Sequence, residues 1–138
     1  MEHQYTRQAD EGDPRPMINI RVGPATKVPI RSLVDSGAIN TVFPMWVAVN
    51  AEIDLTHAET RAFNVGGAES QAVFVTTRLE VDGHDWEAEV GFSNNPRLQD
   101  MGLLGHKAFF RYFSVRFDAV DERFDVTWNE DLTVGQLS

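Results

Sequence analysis

Alternation of apolar and polar positions with a period of two runs through most of the chain and predicts strands rather than helices. Ile18, Ile20 and Val22 alternate with Asn19 and Arg21; Gly23-Pro24 turns the chain, and Val28-Pro29-Ile30 with Leu33-Val34 resumes the pattern. The proline in that second run predicts an edge position or a bulge, because it has no N–H for a neighbouring strand. Phe63-Asn64-Val65 runs into Gly66-Gly67. Beyond it Val73, Val75, Thr77, Leu79 and Val81 alternate with Phe74, Thr76, Arg78 and Glu80. Asp82-Gly83 reads as a tight hairpin turn. The next strand places Trp86, Ala88, Val90 and Phe92 on one face and Glu87 and Glu89 on the other. Val115 and Phe117 match Phe124, Val126 and Trp128 across a turn at Asp121-Glu122.

Helical signals are few. Pro44 to Val49 predicts a short helix, with proline at its first turn and Asn50 near its end. Asp54 to Thr60 reads as irregular connection. His106 to Phe113 is long enough for about two helical turns, and Phe109, Phe110, Tyr112 and Phe113 suit a late helix filling an open side of the core. Residues 1–15 are polar, contain Gly12 and Pro14, and are expected to be a flexible tail. Residues 16–129 form the predicted folded domain and 130–138 a C-terminal tail. The expected class is mostly β, a small closed barrel or a sandwich.

With 138 residues the chain makes one domain with a real core. No apolar run is long enough for a membrane-spanning helix, and no membrane partner is expected. Met1 to Thr6 has neither the basic start nor the apolar stretch of a signal peptide. Cysteine is absent, which removes disulfides and thiolate metal sites and fits a cytoplasmic location. A net charge of −9 without a basic stripe argues against nucleic acid as a partner. His3, His57, His84 and His106 show no metal-ligand spacing and read as surface residues. No metal or cofactor is expected.

The candidate chemistry lies at Asp35-Ser36-Gly37-Ala38, entered through Leu33-Val34 and left through Ile39-Asn40-Thr41-Val42. A carboxylate at the end of a buried strand, followed by a small hydroxyl and a glycine, is a reactive group held in a tight turn. All three of its first residues are also ordinary turn formers, so alone the motif is open to that plainer reading. Leu103-Leu104-Gly105, far along the chain, is the second feature, and taken alone it is plain core.

The order of these features, with a Gly-tipped hairpin between them, resembles the retropepsin-like aspartic proteases, over roughly residues 17–128 and closest to bacterial single-domain members. The resemblance implies a small closed β-barrel of the acid-protease type with a flap hairpin and one short C-terminal helix. It implies an aspartic endopeptidase in which Asp35 is catalytic and each copy of a homodimer supplies half of the site. One carboxylate cannot both deprotonate water and protonate a carbonyl oxygen. Two about 3 Å apart can, because like charges that close share a proton. With a single D-[ST]-G motif, activity requires a second copy of the chain.

Further roles follow from the same resemblance. Ser36 would hydrogen-bond across the two-fold axis, Gly37 would let substrate backbone approach, and Ala38 would leave space beside it. Leu103, Leu104 and Gly105 would pack behind the catalytic loop. Val65, Gly66, Gly67 and Ala68 would belong to the flap and bind substrate, and Val42 and Phe43 with Val65 could line pockets. Viral members often carry an Asp–Arg ion pair where this chain has Ile39 and His106. The implied partner is a protein or peptide substrate. The alternatives are a catalytically inactive protease-like module for dimerisation or peptide binding, and an unrelated small ligand-binding barrel.

Overall fold

A computed structural model describes residues 1–7 and 12–129. Ten strands and one short helix are present among the described residues: β1 (Glu2–Gln4), β2 (Met17–Val22), β3 (Val28–Val34), β4 (Val42–Pro44), α1 (Met45–Asn50), β5 (Glu59–Val65), β6 (Ala68–Val81), β7 (His84–Ser93), β8 (Gly102–Leu104), β9 (Phe113–Asp118) and β10 (Arg123–Trp128). Six of them close into a barrel in the order β2-β3-β8-β4-β7-β6, sealed by pairing of β2 with β6 at Arg21↔Glu80 and Val22↔Leu79. β5 extends this sheet as the outer arm of the β5–β6 hairpin. A second sheet, β1-β10-β9, shares no ladder with the barrel but adds Phe113, Phe124 and Val126 to its core. No helix is long and apolar enough to cross a membrane.

The two-residue alternation places strands where it predicts them. Both tight hairpins have glycine where the backbone turns left-handed. Val65 pairs with Ala68 around Gly66 (φ 59°) and Gly67 (φ 79°), and Val81 pairs with His84 around Asp82 (φ 51°) and Gly83 (φ 82°). Positive φ at both central residues gives the twist that two antiparallel strands need. Pro29 sits where β3 has only β2 beside it, because β8 pairs with β3 no earlier than Ser32, so the missing N–H disturbs no ladder on that side.

Around the reactive loop the strands are buried on both faces, which is why they read as apolar runs rather than clean alternation. Val34, Phe43 and Leu104 point into the main core with Ile20, Leu79 and Val90. Their chain neighbours Leu33, Val42 and Leu103 point the other way, into a second cluster with Phe63, Ala72, Phe74 and Leu98. β6 does the same along its 14 residues: Ala72 and Phe74 face the second cluster, while Thr77, Leu79 and Val81 are buried on the opposite side.

Two expectations are corrected. The short helix is α1, and no helix follows Gly105. Residues 106–112 form a chain of turns in which Ala108 takes a left-handed backbone (φ 75°) and Gly105 bridges to it. The Trp86 indole N–H donates to the Ala108 carbonyl at 2.9 Å, so a tertiary contact fixes a conformation that no helix permits. Phe109, Tyr112 and Phe113 are buried there, with Phe113 edge-on to Trp86 at 5.0 Å, so the aromatic plug exists without the helix. The N-terminal stretch is not a free tail throughout. Glu2–Gln4 pairs with β10, and Thr6 bridges to Arg15. The expectation for 130–138 lies outside the described residues.

Candidate functional site

β8 lies between the two strands that flank the reactive loop. It pairs parallel with β3 (Ser32↔Gly102 to Val34↔Leu104) and antiparallel with β4 at Val42↔Leu103. The loop 35–41 therefore leaves β3, passes round the end of β8 and returns as β4. Both of its arms are tied to the segment after β8. The Asp35 N–H donates to the Leu104 carbonyl at 3.0 Å, His106 N–H to the Ala38 carbonyl at 2.9 Å, and Lys107 N–H to the Ile39 carbonyl at 2.8 Å.

Within the loop, Asp35 Oδ1 accepts from the Gly37 N–H at 2.9 Å and the Asp35 carbonyl accepts from the Ala38 N–H at 3.1 Å. The carboxylate is thus anchored through one oxygen, with the side chain half-buried. Its surroundings are tight. A Cβ at Gly37 would stand 3.2 Å from Asp35 Oδ1, and one at Gly105 would stand 2.4 Å from the Asn40 carbonyl oxygen and 2.7 Å from that of Ala38. Gly105 is glycine because the loop backbone rests directly on it.

Two residues with no assigned bracing role do much of the holding. Buried Thr41 accepts from the Gly105 N–H at 3.0 Å and donates to the Lys107 carbonyl at 2.7 Å, while its own carbonyl accepts from Gly91 N–H at 2.9 Å. His106 places Nε2 2.6 Å from the Ser36 carbonyl oxygen, with its ring 5.2 Å from that of Phe110. A carbonyl only accepts, so Nε2 carries the proton. A lone hydroxyl opening the apolar run Val42-Phe43 was a legible signal for Thr41, whereas nothing local marks His106. Of the other histidines, His57 is exposed, His3 pairs with Asp82 at 2.8 Å and His84 stacks on Trp128 at 5.1 Å.

Asp35 opens onto a cleft of about 370 Å³. Leu33, Gly37, Ala38 and Leu103 contribute from the barrel side, and Asn64, Val65, Gly66 and Gly67 from the tip of the β5–β6 hairpin. Arg15 and the 95–101 connection, through Arg97, Leu98 and Met101, complete the lining. Most expected site residues therefore come together. Ser36 and Ala68 lie outside the lining, while Leu104 and Gly105 lie behind the loop, Leu104 facing the main core. Val42 and Phe43 do not line pockets: both are fully buried, one in each cluster, because β4 is covered on both faces. Ser36 is exposed.

A larger depression of about 590 Å³ lies by the β9–β10 turn, where several of the lining charges are already paired. Arg123 reaches Asp118 at 3.6 Å and Glu2 at 3.8 Å, and the N-terminal amine reaches Asp125 at 3.5 Å. Among the described residues no group of His, Asp or Glu is arranged to hold a metal ion. Neither a protein-family model nor a curated protein matches this chain.

Proposed function

We propose that the protein is a retropepsin-like aspartic endopeptidase that works as a homodimer, with Asp35 of each copy forming the dyad. The observation that carries this reading is the position of Asp35. It stands at the end of a buried strand, on a loop that is pinned to Leu104 and, partly through its own Thr41, to residues 105–107, and it faces a cleft lined by a glycine-tipped hairpin. A solvent-facing outer loop would have favoured a ligand-binding barrel instead.

In the proposed reaction one Asp35 carboxylate takes a proton from water. The water oxygen attacks the peptide carbonyl carbon while the other, protonated Asp35 gives its proton to the carbonyl oxygen. Collapse of the resulting diol breaks the C–N bond: one diol hydroxyl returns its proton to the ionised Asp35, and the departing nitrogen takes the proton held by the other, so the dyad ends with one proton as it began. An extended substrate would pair its backbone with Gly37 and with the hairpin tip. The hairpin would act as the flap that excludes water on closing, its Gly-Gly turn supplying the freedom to move.

The second copy is supported by what one chain lacks: among the described residues, Asp35 is the sole carboxylate in the cleft lining. Ser36, Gly37 and Ile39 lie exposed on the same loop, with Ile39 63% exposed despite being a large apolar residue. Burial against a twin would remove that apolar surface from water. Pairing would double a net charge of −9, so it should strengthen with salt or mild acid.

The test is Asp35→Asn, with peptide-library cleavage and sedimentation measured on both proteins. The variant should keep the fold and lose cleavage, and wild-type activity should be greatest at mildly acidic pH. Cleavage by Asp35→Asn at the wild-type rate, or by a strict monomer, would overturn the proposal. A dimer that binds peptide and never cuts it would favour the non-catalytic module.

A further inference from the structure

We infer that the cleft selects peptides bearing an acidic side chain next to an apolar one, and that Arg97 reads the acidic group. The inference rests on the cleft being a peptide site, as proposed above, and names its substrate class. The chain as a whole is acidic, yet the charged residues lining the cleft are Arg15, Arg97 and the reactive Asp35. Among the described residues, two guanidinium groups against one carboxylate make this cleft locally the opposite of the acidic chain as a whole.

Arg97 is set up to present its side chain there. Its backbone N–H donates to Asn95 Oδ1 at 2.9 Å. Asn95 in turn is held to β6 through Ser70 Oγ at 2.9 Å, and to Ser93 Oγ at 3.1 Å. Ser93 closes the chain by donating to the Gln71 carbonyl at 2.9 Å. The side chain is exposed and reaches across to the hairpin tip, where Nη1 stands 3.5 Å from the Gly66 carbonyl oxygen. That is the outer limit of a hydrogen bond to a neutral acceptor. A carboxylate offers the same guanidinium a shorter, charge-assisted and bidentate contact, so an acidic side chain can displace the Gly66 carbonyl at little cost.

Glycine at position 66 is part of the arrangement. A Cβ there would overlap Arg97 Nη1, so the guanidinium occupies space that any other residue would fill. Leu98 is fully buried directly after Arg97, and Leu33 and Leu103 supply apolar lining nearby. The acidic group is therefore read beside an apolar pocket.

The experiment uses matched peptide pairs, apolar-rich and identical except for Glu or Gln at one scanned position. Cleavage by the wild-type protein is measured, together with fluorescence-anisotropy binding to Asp35→Asn. The Glu peptide should be favoured about tenfold at its best position. Arg97→Gln, in either background, should erase the preference, and Arg97→Lys should restore part of it, since it keeps charge without the planar fork. Added salt should shrink the preference. Equal handling of Glu and Gln peptides, absence of any peptide binding, or a preference that survives Arg97→Gln would overturn the inference. Arg97-dependent binding of Glu peptides without turnover would instead uphold it and defeat the endopeptidase reading.

Discussion

Replacing Gly105 with Ala should damage the site from behind, through a residue that is itself outside the cleft lining. The added Cβ would stand 2.4 Å from the Asn40 carbonyl oxygen, 2.7 Å from that of Ala38 and 2.9 Å from the Asn40 carbonyl carbon. All three atoms are backbone of the reactive loop, so no side chain can swing aside. Restoring ordinary contact moves the loop by about 1 Å. Overpacking of this kind costs about 1–3 kcal/mol. The shift also strains the bond from Gly105 N–H to Thr41 and that from His106 N–H to Ala38, adding about 1 kcal/mol. The expected loss is therefore about 2–4 kcal/mol, or a fall in Tm of about 8–15 °C. Urea unfolding followed by fluorescence of buried Trp86 reads it directly. In protein that remains folded, cleavage should fall about 100-fold, since a 1 Å misplacement suffices for that. A stability change below about 0.5 kcal/mol with unaltered cleavage would refute the argument that the loop rests on Gly105.

His106→Leu should lower kcat by about tenfold with KM nearly unchanged, because the Ser36 carbonyl loses its brace while the cleft lining stays intact; its stability cost should be near about 0.5–1 kcal/mol because water replaces the ring at an exposed site. Equal kcat in the variant would show that the contact positions nothing. Asp85 carries a pH signature. Partial burial alone would raise its carboxyl, but hydrogen bonds from Lys27 and Arg78 outweigh that and hold it below the usual 3.8. A carboxyl lowered in the folded state stabilises above its unfolded value, and that stabilisation is lost as pH falls through the folded one. The stability gap between wild type and Asp85→Asn should therefore narrow from about pH 6 to about pH 2 in urea titrations, and a gap that widened on acidification would contradict the sign.

Strand identity was legible wherever one face of a strand meets solvent. Glu87 and Glu89 alternate with Trp86, Ala88 and Val90, and β7 emerges as read. The two glycine-containing turns were legible because left-handed backbone demands particular residues. Illegibility begins where burial comes from both sides or from far along the chain. Val42 and Phe43 look like pocket residues because nothing local reveals that β4 has a core on each face. His106 to Tyr112 has helical composition, and contacts distant in sequence, from the Trp86 indole and from the 38–41 backbone and Thr41, dictate the Ala108 turn. At the site, Asp35, Gly37 and the Gly66-Gly67 tip could be picked out by type and order. His106 and Arg97 could not, since their importance lies in which carbonyl or cleft they reach, and Thr41 left only the trace of a hydroxyl opening an apolar run.

Insertion of β8 between β3 and β4 bears on how the protein comes into being. The segment that shapes the Asp35 loop is made more than sixty residues after the loop itself, as the pairing of Val34 with Leu104 records. A nascent chain on the ribosome, or a fragment ending ahead of Gly102, holds the acidic motif but has nothing to fold it around. The reactive geometry therefore forms only once Gly102–Leu104 has been made, well after the acidic motif itself.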